Sequence, residues 1–479
     1  MHFVDEKGKN VFLSQRLAHQ KVKCYNYYVF HEINGKGTIF VEKTKKERVS
    51  SLFKTLNRTK TFSKLTEEEF AWVLYDVGNS AYTMLACSLI PIWFKSLAIG
   101  TAPGQISSDQ ATAYYAAAIS IVTVIVALLG PICGALADHK GRKKIFFTTT
   151  VALGAAGCIL NGFASSWVVF LVLYVFAKIC YSASCTFYDS MLNDVTTEER
   201  MDEVSSYGYA WGYIGSCIPF VIALVAYVLG PDMVGVLSDS VSKIIGFTVT
   251  AVWWMIVTLP LIRTYKQSNY VEVENNTVGK TFKKIFSTLK RIAVEDKKVL
   301  FFLIAFFLYI DGVGTIIDNC INIGTDLNLD TVGQVVFLLA TQVVAFGGSL
   351  VFARLSKKHS TANLILVCIV GYFAVCLYAL TLKTLLHFGI LAFGVGCFQG
   401  SIQSLSRSYY SKIIPAENSG EYFGIYDIFC KGASFLGSAV IAWVKLAGGT
   451  INVAVACLAI FFFFGFIFMK LAEKQESKK

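Results

Sequence analysis

The chain has 479 residues, 55% of them hydrophobic and only 16% charged, with a mean hydropathy of +0.56. A soluble domain carries about 25% charged residues, so the composition excludes an ordinary soluble protein and points to one whose solvent is a bilayer. The net charge of +11 does not mark a nucleic-acid binder, because the basic residues gather in the loops between hydrophobic runs, as the positive-inside bias produces.

Residues 1–66 are polar and Lys-rich. CYNYYVF and GTIFVE read as short strands, but the segment is too small and charged for a sizeable core. It has no n-region, h-region and cleavage site of a secretory signal, and reads as a cytoplasmic extension. From Glu69, hydrophobic runs long enough to cross a ~30 Å hydrocarbon core recur at about 69–97, 110–137, 144–164, 167–193, 205–229, 243–263, 298–323, 331–355, 362–382, 385–411, 421–446 and 449–471. The expectation is an all-α membrane protein with twelve transmembrane helices in two six-helix bundles. Its parts are the extension 1–66, a bundle 67–264, a central loop 265–297, a bundle 298–472 and a tail 473–479.

The loops alternate. DHKGRKK, the 264–297 segment, RLSKKHST and the tail carry Lys and Arg; AIGTAPGQISSDQ, ASSW, GPDMVGVLSDS and TDLNLD are nearly free of them. That bias puts both termini and the central loop in the cytoplasm. The acidic NDVTTEERMDEVSS falls on the same side, where acids weigh little in the bias. The 13 Cys include no CxxC pair and read as small core residues in a reducing compartment. The six His avoid the apolar runs, so no metal site is expected. Two short matches suggest duplicated halves: LYDVGNSA with LYIDGVGT in spans one and seven, and SSYGYAWGYIG with GEYFGIYDIFCKG in spans five and eleven. The Gly-rich patches GYAWGYIG, GAAGC and GVGCFQG read as sites of close helix crossing.

An ionisable side chain inside a membrane helix costs about 2.5–3.5 kcal/mol on insertion scales, so each needs a partner or water. In span one, Asp76, Asn79, Ser80 and Thr83 share one face, beside Tyr75. Span four carries Tyr174, Lys178, Tyr181, Ser182, Cys185, Tyr188 and Asp189. Span seven carries Asp311, Thr315, Asp318 and Asn322, and span ten Gln399, Gln403, Ser406, Arg407 and Tyr410. Stripes on every third helix point to a shared water-filled cavity. Asp76 and Asp189 lie near the cytoplasmic ends, to pair with loop Lys at an inner gate or to meet substrate. Lys178 and Asp311 lie nearer mid-membrane. Asp427 and Lys431, at i and i+4 with the acid first, fit a packing ion pair.

GALADHKGRKK, from Gly134, resembles the signature of the major facilitator superfamily between helices two and three, matched by Gly134, Asp138, Gly141, Arg142, Lys143 and Lys144. His139 departs from the usual Lys or Arg. The corresponding FARLSKKHST has lost the Gly and the Asp, so any inner lock there is expected to be weaker. WVLYDVGNSAYTMLACSLIPIWF, GYAWGYIG, FFLYIDGVGTIID and QSLSRSYYSKIIPAENSGEYFGIYDIFCKG resemble, more closely, the family of the yeast autophagy-linked vacuolar amino-acid effluxer and its bacterial relatives. The resemblance implies alternating access by two rocking bundles, a breakable cytoplasmic lock at Asp138 and Arg142, and a multi-pass protein of a bacterial plasma membrane. On this reading the substrate is a small polar solute, amino acids foremost, with Lys178 and Arg407 facing a carboxylate and Asp76 and Asp311 an amine. Asp311 is the candidate proton carrier for a proton gradient. A monomer in a lipid bilayer with no cofactor is expected. No HExxH, GxSxG or Walker loop supports an enzyme; the alternative is a flippase or exporter of lipids or hydrophobic compounds on the same fold.

Overall fold

The computed structural model describes residues 65–101, 103–231, 233–272, 278–327, 329–432 and 435–476, with five short strands before residue 43. It divides into two compact units, Met1–Glu67 and Glu68–Lys479. In the first, β1 (Phe3–Val4) pairs antiparallel with β2 (Asn10–Val11), and β3 (Val22–Tyr25), β4 (Tyr28–Glu32) and β5 (Thr38–Glu42) form an antiparallel meander. CYNYYVF and GTIFVE thus supply strands, as read from the sequence.

The second unit is helical. Its first half runs α1 (Glu67–Cys87), α2 (Leu89–Ala98), α3 (Ser108–Ala137), α4 (Arg142–Gly162), α5 (Trp167–Ser190), α6 (Leu192–Val195), α7 (Met201–Val228) and α8 (Asp239–Thr264). A connecting helix α9 (Val278–Val294) leads to α10 (Lys297–Asp318), α11 (Cys320–Asp326), α12 (Thr331–Leu355), α13 (Thr361–Tyr378), α14 (Leu385–Ile413), α15 (Ser419–Gly432), α16 (Phe435–Leu446), α17 (Ile451–Cys457) and α18 (Ala459–Glu476). Among the described residues, eleven helical stretches are long and apolar enough to cross a membrane. The expected span 421–446 is described as α15 and α16, on either side of residues 433–434, which lie outside the described residues.

Local chemistry starts the helices where the loops are short and neutral. Ser107, Ser166, Ser238, Asp330, Thr384 and Thr450 each accept a first-turn backbone N–H, which satisfies donors that lipid cannot. At Ser107 the bond is reciprocated by Gln110, completing a capping box. The α3–α4 connection is tight: Arg142 N–H bonds the His139 carbonyl at 3.0 Å, and Gly141 takes φ +73°, which a side chain disfavours. Outward faces are apolar, with Leu128, Val172, Ile256, Val367 and Phe393 each more than half exposed, a surface suited to lipid. Inward, aromatic stacks fill both halves, Trp72 on Tyr188 at 4.3 Å and Phe306 on Tyr426 at 4.1 Å.

The two halves meet most closely where α3 crosses α15. Gly130 and Gly134 face Gly420 and Gly424, one turn apart on each helix. A Cβ on Gly134 would stand 2.1 Å from the Gly420 carbonyl oxygen, and one on Gly424 would stand 2.5 Å from Pro131. Only glycine allows that approach.

Candidate functional site

Arg407, on α14, is 2% exposed and reaches across to the first half. One terminal nitrogen donates to Asp76 Oδ2 and the other to Asp189 Oδ1, both at 3.0 Å. Nε donates to Ser205 Oγ at 3.0 Å, and the nitrogen on Asp76 also donates to the Ser205 carbonyl at 3.1 Å. Trp72 and Tyr209 lie 4.5 and 4.6 Å from the guanidinium carbon. Asn79 donates to Asp76 Oδ1 at 3.1 Å, and the Tyr75 hydroxyl shares a proton with Ser184 at 2.7 Å. Buried charges persist only when answered in this way. Asp76 and Asp189 are thus held by a helix-ten arginine and not by loop lysines, and Arg407 has no free valence for a solute carboxylate.

Beside this cluster lies the α3–α4 turn. Asp138 is fully buried. Its two oxygens accept the backbone N–H groups of Gly420 and Glu421 at 2.8 and 2.9 Å, in the first turn of α15, where the helix dipole favours an anion. Lys143, also fully buried, donates to Ser419 Oγ at 2.9 Å and lies 3.5 Å from both Asp138 and Asp194. Arg142 is exposed, and no hydrogen bond or ion pair joins its side chain to a described residue. The cation beside Asp138 in this structure is Lys143, at 3.5 Å, while the Arg142 side chain stands exposed after the left-handed Gly141. Burial pushes the Asp138 carboxyl up to about 6, against the pull of Lys143 and the two backbone donors. Burial, with Arg142 and Lys284 nearby, holds His139 below its usual range, so the residue that departs from the superfamily pattern enters the turn uncharged. From α9, Lys284 contacts Glu421 at 3.2 Å and Asn418 at 2.9 Å, and Arg291 donates to the Tyr422 hydroxyl.

A second lock joins the start of α7 to the α12–α13 turn. Asp202 accepts from Thr361 and Ser408 at 2.6 Å and from Lys412 at 2.8 Å; Glu203 pairs with Lys357 at 2.8 Å. This is the position where FARLSKKHST was expected to leave a weaker lock. The acids there come from the facing element, in MDEVSS. Sequence reasoning missed Asp202, Glu203, Lys357 and Lys412, although the acidic and basic loops were complementary in charge. Ser205 donates to the Ser404 carbonyl at 2.8 Å, Ser206 and Ser404 hydroxyls lie 3.3 Å apart, and Asn193 donates to the Ser411 carbonyl at 2.9 Å. Thr186 donates to Asp427. Lys431, its expected partner in a packing pair, lies outside the residues whose side chains are described. All these cross-bundle bonds lie toward one end, that of residues 138, 193 and 201.

Away from that sealed end the polar faces continue. Thr83 and Cys87 are exposed, and the Thr83 hydroxyl meets the Tyr181 hydroxyl at 2.6 Å. Lys178 is half-buried, its ammonium 4.9 Å from the Tyr181 ring centre and 5.7 Å from that of Tyr82. Gln399 and Gln403 are half-buried, with Gln403 Nε2 on the Gln399 carbonyl at 3.2 Å. Asp318 is exposed. Asp311 is not exposed to this gap: it is fully buried, and the Gly437 N–H of α16 donates to its carboxylate at 3.0 Å.

The sequence matches the family described as "Vacuole effluxer Atg22 like" over residues 66–201 and 193–479. It is 39% identical over 417 residues to an uncharacterized MFS-type transporter, YxiO, of Bacillus subtilis, covering 86% of this chain and 96% of that protein. It is 24% identical over 378 residues to autophagy-related protein 22 of Eremothecium gossypii, covering 71% and 72%. With its Botryotinia fuckeliana counterpart, at 27% identity, it shares 54% of this chain and 48% of the relative. In fold it resembles the transporter FucP in the outward conformation (TM-score 0.63, 16% identity, 85% of this chain and 98% of that one). It likewise resembles the proton:xylose symporter XylE (TM-score 0.63, 11% identity, 86% and 96%). The chain belongs to the Atg22-like vacuole effluxer family and is a transporter of the major facilitator fold, not an enzyme.

Proposed function

We propose that the chain moves a small polar solute, amino acids foremost and in the efflux direction, across a bacterial plasma membrane by alternating access. The observation that carries this reading is the asymmetry of the cross-bundle contacts. Two locks, at Asp138–Lys143 and at Asp202–Glu203, close one end, and polar faces of α1, α5 and α14 run on from it toward the other. The Lys and Arg of the loops support a cytoplasmic closed end, and the same bias supports cytoplasmic termini. In this outward-facing form a solute reaches the cavity from outside; breaking the two locks and rotating the halves delivers access to the cytoplasm. The protein acts as a monomer with no cofactor. We assign proton coupling to Asp311, whose carboxylate accepts the Gly437 N–H of α16, so that its proton occupancy acts on that helix. Flux in proteoliposomes tests both parts. Counterflow of a radiolabelled solute supports transport, and its absence for every amino acid tried would refute the substrate class. Flux indifferent to a pH gradient and to Asp311→Asn would remove the coupling.

A further inference from the structure

We propose that Lys178 is the carboxylate-binding residue of the transport cavity, so that the solute is a small carboxylic acid. This rests on the transport reading above. Lys178 lies eleven residues before Asp189 on α5, three turns and about 16 Å along the same helical face. Asp189 points across the interface to Arg407, so Lys178 points into the same gap, beyond the sealed end. Among the described residues, Lys178 and Arg407 are the cations on these polar faces, and the geometry separates them. Arg407 is 2% exposed, is answered by two carboxylates and is sandwiched between Trp72 and Tyr209. It has no positive charge left to offer. The Lys178 ammonium has aromatic faces, Tyr82 and Tyr181, for neighbours, and no carboxylate of a described residue lies within ion-pairing distance.

Aromatic faces recover only part of the hydration an ammonium loses, about 0.5–2 kcal/mol. A carboxylate supplies the rest through a charge-assisted hydrogen bond. The exposed Thr83 hydroxyl, bonded to Tyr181, stands on the facing helix as a further donor for the second oxygen.

The test is binding by the purified full-length protein, read as thermal shift over a concentration series. The probes are L-alanine, L-leucine and L-phenylalanine, each against its amide, with acetate and succinate. At least one acid stabilises the wild type, and its amide does so about tenfold less well or worse. Lys178→Gln weakens the acid about ten- to hundredfold, and Lys178→Arg retains it. The acid–amide comparison needs no variant, so a misfolded Lys178→Gln leaves the proposal testable. Equal stabilisation by acid and amide, no shift from any acid, or full binding by a folded Lys178→Gln overturns it. An acid that binds through Lys178 and shows no flux in proteoliposomes sinks the transport reading while leaving the site standing.

Discussion

Gly134→Ala is the smallest change that should unlock the sealed end. The new methyl carbon would stand 2.1 Å from the Gly420 carbonyl oxygen and 2.5 Å from its carbon, both backbone atoms that no rotamer can move aside. Restoring ordinary contact needs α3 and α15 to part by about 1.2 Å. Asp138 lies one turn further along α3, bonded to the same stretch of α15 at 2.8 and 2.9 Å. The same parting takes both bonds to about 4 Å, where they no longer hold. Hydrogen bonds to a charged group contribute about 1.5–3 kcal/mol each. The sealed form then loses about 3 kcal/mol or more, over a hundredfold in the gate equilibrium. Spin labels at the exposed positions Lys140 and Glu417, with exposed Cys87 and Cys457 replaced by Ser, report the gap by electron–electron double resonance. Wild type gives a short distance, and Gly134→Ala shifts most of the population to a longer one. Gly347→Ala is the control, because its methyl meets nothing within 4 Å. A Gly134→Ala distribution identical to wild type would refute the argument from close approach.

Arg407→Ala leaves Asp76 and Asp189 buried without their cation, a change that costs about 3–5 kcal/mol; a drop in melting temperature of the detergent-purified protein checks it, and partial rescue by adding Asp76→Asn and Asp189→Asn identifies the cause. Glu203→Lys impairs flux by repelling Lys357, and adding Lys357→Glu restores it; the pair is part-exposed, so the effect is nearer 1 kcal/mol than 3. Asp138 carries a pH signature. Its carboxyl titrates near 6 in the sealed form against about 3.9 when exposed, so the sealed form takes up the proton more readily. Its stability is greatest below about pH 4, falls as pH rises through that window to about 6, and is flat above. The label pair therefore shows more of the short distance at pH 5 than at pH 7, and Asp138→Asn abolishes the difference. The same variant slows transport at neutral pH while leaving solute affinity unchanged.

Much of this was legible in the residues. Hydropathy placed the spans to within a few residues, because lipid leaves few alternatives to an uninterrupted apolar helix. The face 76, 79, 80, 83 pointed inward as spacing required. What spacing could not give was pairing between distant segments. That Arg407 belongs to Asp76 and Asp189, and not to solute, depends on how the two halves close. That Lys143 and not Arg142 stands beside Asp138 depends on which way two adjacent helix residues face, which the basic run alone does not fix. The second lock was hidden because its acids, Asp202 and Glu203, and its bases, Lys357 and Lys412, stand in segments far apart in the chain. The crossing glycines Gly130, Gly134, Gly420 and Gly424 stood in GPICG and GEYFG, which carry the same four-residue spacing as the patches singled out from the sequence. Asp311 looked like a cavity carboxylate because its helix face is polar; its backbone partner, the Gly437 N–H, comes from a distant helix that spacing does not bring to it.

The central claim is that the sealed end must open for solute to pass. Ser206 and Ser404 sit on opposite halves with hydroxyls 3.3 Å apart, close enough for a disulfide once both are cysteine. Ser206→Cys/Ser404→Cys, reconstituted in proteoliposomes, should lose flux of a stabilising carboxylate on oxidation, keep binding it, and regain flux on reduction. Undiminished flux through fully cross-linked protein would contradict the account.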